Sequence, residues 1–66
     1  MSDINERYKT IDLPESTKKV RLGKYYNLMK EGYSPNEIFN KIENLTVEEA
    51  YVYNHLCEER LKKESK

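Results

Sequence analysis

Three copies of one local pattern constrain this 66-residue chain more than any other feature. Asp12-Leu13-Pro14-Glu15, Ser34-Pro35-Asn36-Glu37 and Thr46-Val47-Glu48-Glu49 each set a capping residue three places before a glutamate. In such a box the first side chain accepts from the backbone N–H three residues on, and the glutamate reaches back to the capping residue's own N–H. Two of the donors that a helix leaves unpaired at its start are thereby satisfied together. Each copy predicts a helix start. Proline agrees at the first helical position after Ser34 and at the second after Asp12, where a missing N–H costs little.

The expected fold class is all-α: a small three-helix domain over residues 12–66, preceded by a flexible N-terminal arm at 1–11. The first helix is read over 13–31, with an apolar stripe of Leu22, Tyr25, Tyr26 and Met29 and closure at Gly32, a residue suited to the left-handed turn. Gly23 interrupts it at about 1 kcal/mol relative to alanine, so a bend or a close backbone approach is expected there. The second helix, 35–43, buries Ile38, Phe39 and Ile42, and Tyr33 with Ile38 matches a hydrophobic staple. The third runs over 47–62, with Leu45 and Ala50 paired in the same way and lysines at its C-terminal end, where the dipole favours them. The arm shows no sustained period, and Tyr8 to Ile11 reads as an extended stretch.

A domain of this length buries only about 60% of the surface its unfolded chain exposes, so its stability is marginal. Nothing staples it: Cys57 is the only cysteine, and no Cys/His grouping has zinc-site spacing. Small cores without staples depend on very regular helix packing or on a partner, which makes self-association or docking on a larger protein a physical expectation. The apolar and charged fractions are both 36%, near the polar edge for a folded domain, but six tyrosines and one phenylalanine supply large buried areas. No apolar run approaches the roughly 18 residues a bilayer demands, and Met1-Ser2-Asp3 lacks the basic and then apolar regions of a secretion signal. The expected location is cytoplasmic, with no membrane contact.

The third helix has two apolar faces. At about 100° per residue, Val47, Ala50, Tyr51, Cys57 and Leu61 share one stripe with Asn54 in its middle, while Val52 and Leu56 point nearly the opposite way. The first stripe is expected to pack on the other helices. The second is the expected partner-binding surface: Val52, Tyr53 and Leu56, rimmed by Glu48, Glu49, Glu59 and Arg60. Full burial of Val52 and Leu56 would supply roughly 1.5–3 kcal/mol each. The plainer reading sets the same residues against the N-terminal arm, or leaves them singly exposed. Asn54 is read either as a polar group at the core edge or as a register-fixing residue in a helix–helix interface.

No enzyme is expected. His55 and Cys57 are two apart on a helix and cannot face each other as base and nucleophile. The glutamate pairs are helix-start and surface residues, and Gly23 and Gly32 are too isolated to form a phosphate loop. A chain this small is expected to offer little of the concavity, some 300 Å³ or more, that a substrate needs. Cofactors, metals and small-molecule substrates are accordingly expected to be absent.

Nucleic acid is the competing partner. Twelve basic and twelve acidic residues give no net charge, but residues 1–32 carry seven basic against five acidic, and residues 33–66 five against seven. Gly32 to Leu56 resembles a helix-turn-helix unit: a short helix from Pro35, a turn at Asn44-Leu45, a second helix after Thr46. It departs from that pattern at Phe39, where a small residue is usual, in a turn one residue longer, and in Glu48-Glu49 at the start of the reading helix. Lys9-Thr10-Ile11-Asp12-Leu13-Pro14, followed by two helices, is similar in outline to ribbon-helix-helix repressors. That resemblance implies a ribbon whose Tyr8, Thr10 and Asp12 face the bases. Either resemblance implies a DNA-binding transcriptional regulator, with Lys18, Lys19, Arg21 and Lys24 as phosphate contacts. The primary expectation is a small helical bundle serving protein–protein interaction, a bacterial or phage accessory regulator that docks a helix face on a partner or on its own copy as a dimer.

Overall fold

Pro14 displaces the first expected helix start. A residue before proline is kept out of the α region by the pyrrolidine ring, so Leu13 cannot open a helix capped by Asp12. In the computed structural model, which describes residues 3–64, Pro14 itself is the extended cap (φ −59°, ψ 148°), and the first helical bond runs from the Lys18 N–H to the Pro14 carbonyl at 3.1 Å. No side chain caps this helix. The other two boxes form. Ser34 Oγ accepts from the Glu37 N–H while Glu37 reaches back to the Ser34 N–H, and Thr46 and Glu49 exchange the same two bonds at 3.2 Å each.

Four helices result: α1 (Ile4–Thr10), α2 (Glu15–Lys30), α3 (Pro35–Lys41) and α4 (Val47–Glu64). The all-α class holds, with four helices in place of three, because residues 4–10 of the expected arm are helical. Met1 and Ser2 lie outside the described residues. Ile4, Tyr8 and Ile11 recur at four and three residues, which is one helical face, and all three lie in or against the core. The extended ribbon expected at Tyr8 to Ile11 is thereby overturned, and no strand exists among the described residues.

The helix α2 runs unbroken through Gly23 and closes with a Schellman motif: the Gly32 N–H bonds the Met29 carbonyl and the Tyr33 N–H the Leu28 carbonyl, with Gly32 at φ +101°. Helix α3 ends at Lys41, shorter than expected, because Ile42 turns extended and Asn44 takes φ +62° to aim the chain into α4.

The core is built by α4 lying across α1 and α2, with α3 closing one side. Tyr25, Ile38, Val52 and Tyr53 are fully buried, and Ile4, Ile42, Leu45 and Cys57 nearly so. Tyr8, Tyr53 and Tyr25 pack edge to face in a chain, with ring centres 6.2 and 6.4 Å apart. Lys18 fastens α1 to α2. Its side chain is 6% exposed, yet its ammonium lies over the Tyr8 ring at 4.8 Å, donates to the Tyr8 carbonyl at 3.1 Å and faces Glu15 at 3.6 Å. A cation there answers the unpaired carbonyls at the end of α1.

Candidate interaction surface

The apolar residues of α4 divide differently from expectation: Cys57 is buried as its stripe implies, but Val47 and Tyr51 of that stripe turn outward, and Val52 and Tyr53 of the expected outer face turn inward. Glu49, Val52, Tyr53 and Cys57 point inward, and Leu56 is half-buried against the core. Val47 is 76% and Tyr51 50% exposed, while Ala50 and Asn54 are half-buried along the edge facing α3. Helix α1 extends the cover that α2 gives this inward face. Val52 and Tyr53 therefore belong to the core, and the expected docking patch does not exist on the surface.

What fixes the orientation of α4 is a buried carboxylate. Glu49 is 1% exposed, and Arg21 Nη1 reaches both of its oxygens at 2.8 and 2.9 Å. The Tyr53 hydroxyl donates to it at 3.0 Å, and the Thr46 N–H and hydroxyl each donate at 3.2 Å. Burial alone would push the Glu49 carboxyl up, but the bonds from Arg21, Thr46 and Tyr53 outweigh it and hold it below the ordinary glutamate range. Burial, then the Glu49 carboxylate, pushes the Tyr53 hydroxyl up. Arg21 also bonds the Asn44 carbonyl at 3.2 Å, tying α2 to the left-handed turn ahead of α4.

Outside this network lie two apolar recesses. One, of about 380 Å³, runs between α3 and α4 and is lined by Tyr25, Pro35, Asn36, Phe39, Val47, Ala50, Tyr51 and Asn54. The Tyr25 hydroxyl, pushed up to about 12 chiefly by burial, donates to the Asn54 side-chain oxygen at 3.2 Å. Asn54 is thus a core-edge residue that also borders the recess. The other, of about 550 Å³, opens between α1, α2 and α4 and includes Tyr8, Lys19, Leu22, Gly23, Tyr26, Leu56 and Arg60. The expectation that so small a chain has no sizeable concavity is corrected by these volumes.

Of the expected partner residues, Val52, Tyr53 and Glu49 are interior, Leu56 and Arg60 border the larger recess, Glu48 faces Arg7 at 3.9 Å, and Glu59 is exposed. Of the expected phosphate contacts, Lys18 is committed to α1 and Arg21 to Glu49, leaving Lys19 and Lys24 exposed. At the head of the would-be reading helix, Glu49 is buried and Glu48 is occupied by Arg7. His55 is exposed and meets Tyr51 edge-on at 4.7 Å. Cys57 is buried, and its thiol is pushed up to about 11 by that burial. Among the described residues no three His, Cys, Asp or Glu side chains converge as metal ligands would, and no helix is long and apolar enough to cross a membrane. Sequence reasoning had Phe39, Val47, Ala50 and Tyr51 in view but placed them in the interior.

No family model, curated relative or solved structure matches this chain.

Proposed function

We propose that this chain is a small, non-enzymatic helical interaction module that works by docking its α3–α4 face on a second copy of itself. The observation that supports this is the make-up of that face. In a chain that is 36% charged, none of the residues lining the recess carries a charge, and Tyr25, Phe39 and Tyr51 are aromatic. Interface centres show this same depletion of charge and enrichment in rings.

The chemistry of the recess restricts its occupant. A charged group desolvated there would find no oppositely charged side chain in the lining, so an uncharged apolar ridge suits it best. Val47 and Tyr51 on the outer side of α4 supply the apolar surface of such a ridge, with the Arg7 guanidinium 5.4 Å from the centre of the Tyr51 ring. Val47 and Tyr51 project beside the recess, so two copies related by a two-fold axis would each offer the ridge that the other's recess takes. Zero net charge sets up no long-range repulsion between copies. A standard interface of roughly 800 Å² per partner is about one sixth of the 4962 Å² this molecule exposes. A regulatory role would then rest on occupancy, the assembled face being the one a target meets or loses.

Sedimentation equilibrium tests the reading. The 7.9 kDa chain should double in mass with rising concentration. Val47→Glu should keep it monomeric with an unchanged circular dichroism spectrum, and Val20→Glu, at another exposed valine on α2, should leave the dimer intact. A monomer up to about 1 mM, or a dimer indifferent to Val47→Glu, would overturn it.

A further inference from the structure

Gly23 has no structural reason to be glycine. It sits in the middle of α2, where glycine weakens a helix relative to almost any other residue. No positive φ requires it, and a Cβ built there meets no atom within 4 Å, so no close packing requires it either. What it does is leave space. The face of α2 that borders the larger recess runs Glu15, Lys19, Gly23 and Tyr26, and the missing side chain at 23 opens the wall between a lysine and a tyrosine.

We infer that the recess between α1, α2 and α4 is a binding site for a small amphipathic anion: an aromatic or aliphatic body carrying one acid group. Two independent observations point there, the unexplained glycine and the chemistry of the walls. Tyr8, Leu22, Tyr26 and Leu56 supply apolar surface around about 550 Å³, within the range of small-molecule sites. The charges at the mouth are Glu15, Lys19 and Arg60. Glu15 is taken up by Lys18 at 3.6 Å and Arg60 by Glu64 at 3.6 Å, while Lys19 has no ion-pair partner among the described residues. The uncompensated charge at the mouth is therefore positive, and it selects an acid over a neutral or basic ligand. Cys57, on the same wall, is kept a neutral thiol by its burial.

Titration of the full chain with 8-anilinonaphthalene-1-sulfonate, an aromatic anion that brightens in apolar surroundings, tests the inference. Saturable binding is expected, displaced by decanoate and not by decanol. The methyl resonances of Leu22 and Leu56 should shift, with those of Ala50 and Val47 unmoved. Gly23→Leu fills the space with a better helix former, so the variant stays folded, and it should weaken binding at least about tenfold. Lys19→Glu should weaken it severalfold. No saturable binding below about 1 mM, or equal binding by Gly23→Leu, overturns the site; equal binding by Lys19→Glu, or displacement by decanol, overturns the choice of an anion.

Discussion

Replacing Arg21 by methionine isolates the interaction that orients α4. The variant keeps a long apolar stem but leaves Glu49 buried with only Tyr53 and Thr46 as donors. Removing one member of a buried ion pair typically costs about 3–5 kcal/mol, because the other charge stays desolvated. Arg21 is 19% exposed and Glu49 retains neutral donors, so the lower edge applies, and we expect a loss of about 2–3 kcal/mol at neutral pH. A 66-residue domain has roughly 3–10 kcal/mol in all. With a urea slope near 1 kcal/mol per molar, the midpoint followed by circular dichroism should fall by about 2–3 M. The pH dependence supplies an independent check. The Glu49 carboxyl is held below its ordinary value of 4.5, so the unfolded chain binds the proton first. The stability it contributes is fully present above pH 4.5 and is lost as pH falls through the folded value. In the variant, burial dominates and moves the carboxyl upward, so the gap between variant and parent should close on acidification. A loss under about 1 kcal/mol at pH 7, or a gap that widens in acid, would refute the assignment of Arg21 and Glu49 as a buried pair.

Val52→Ala, at a fully buried site, should cost about 2 kcal/mol in urea unfolding, whereas Val47→Ala, largely exposed in the single chain, should stay within about 0.5 kcal/mol in protein dilute enough to be monomeric; equal effects there would mean the faces of α4 are misassigned. Gly23→Ala should raise stability by about 0.5–1 kcal/mol, and Gly32→Ala should lower it, since φ +101° strains any side chain; calorimetric melting of both variants decides. Lys18→Met removes the bond to the Tyr8 carbonyl, so hydrogen exchange in α1 should accelerate while α4 keeps its protection. Exchange rising equally throughout would show that α1 and α4 open as one unit.

The long helices were legible because their signals are local. Two of the three capping boxes formed, the closure at Gly32 came as expected, and Ile38 and Ile42 are buried as their spacing implies. The failed box was also legible in principle: Pro14 bars Leu13 from a helical conformation, and that constraint outranks a favourable Asp/Glu spacing. Helix α1 was harder to read. Its face consists of only Ile4, Tyr8 and Ile11, and seven residues do not hold a helix in water unaided. Its helicity is lent by tertiary contacts, chiefly Ile4 in the core and Lys18 on the Tyr8 carbonyl.

The reversal on α4 has a different origin. Periodicity shows that a helix carries two apolar stripes but not which of them faces in, since both satisfy the same spacing. The arbiter is Glu49, which by its position in a capping box reads as a solvent-exposed residue. It is drawn inward because a cation one helix away, Arg21, and a hydroxyl one turn on, Tyr53, together satisfy it. Once that carboxylate is committed, Val52 and Tyr53 must follow it into the core, and Val47 and Tyr51 must turn out. A buried charge has thus selected between two hydrophobic arrangements of similar worth, and the apolar residues it rejected are the ones the chain presents beside α3. Exchanging Glu49 for leucine together with Arg21 for methionine removes this selection; by the same reasoning the double variant should remain folded yet lose the uniform dispersion of its α4 amide resonances as both faces compete for the interior.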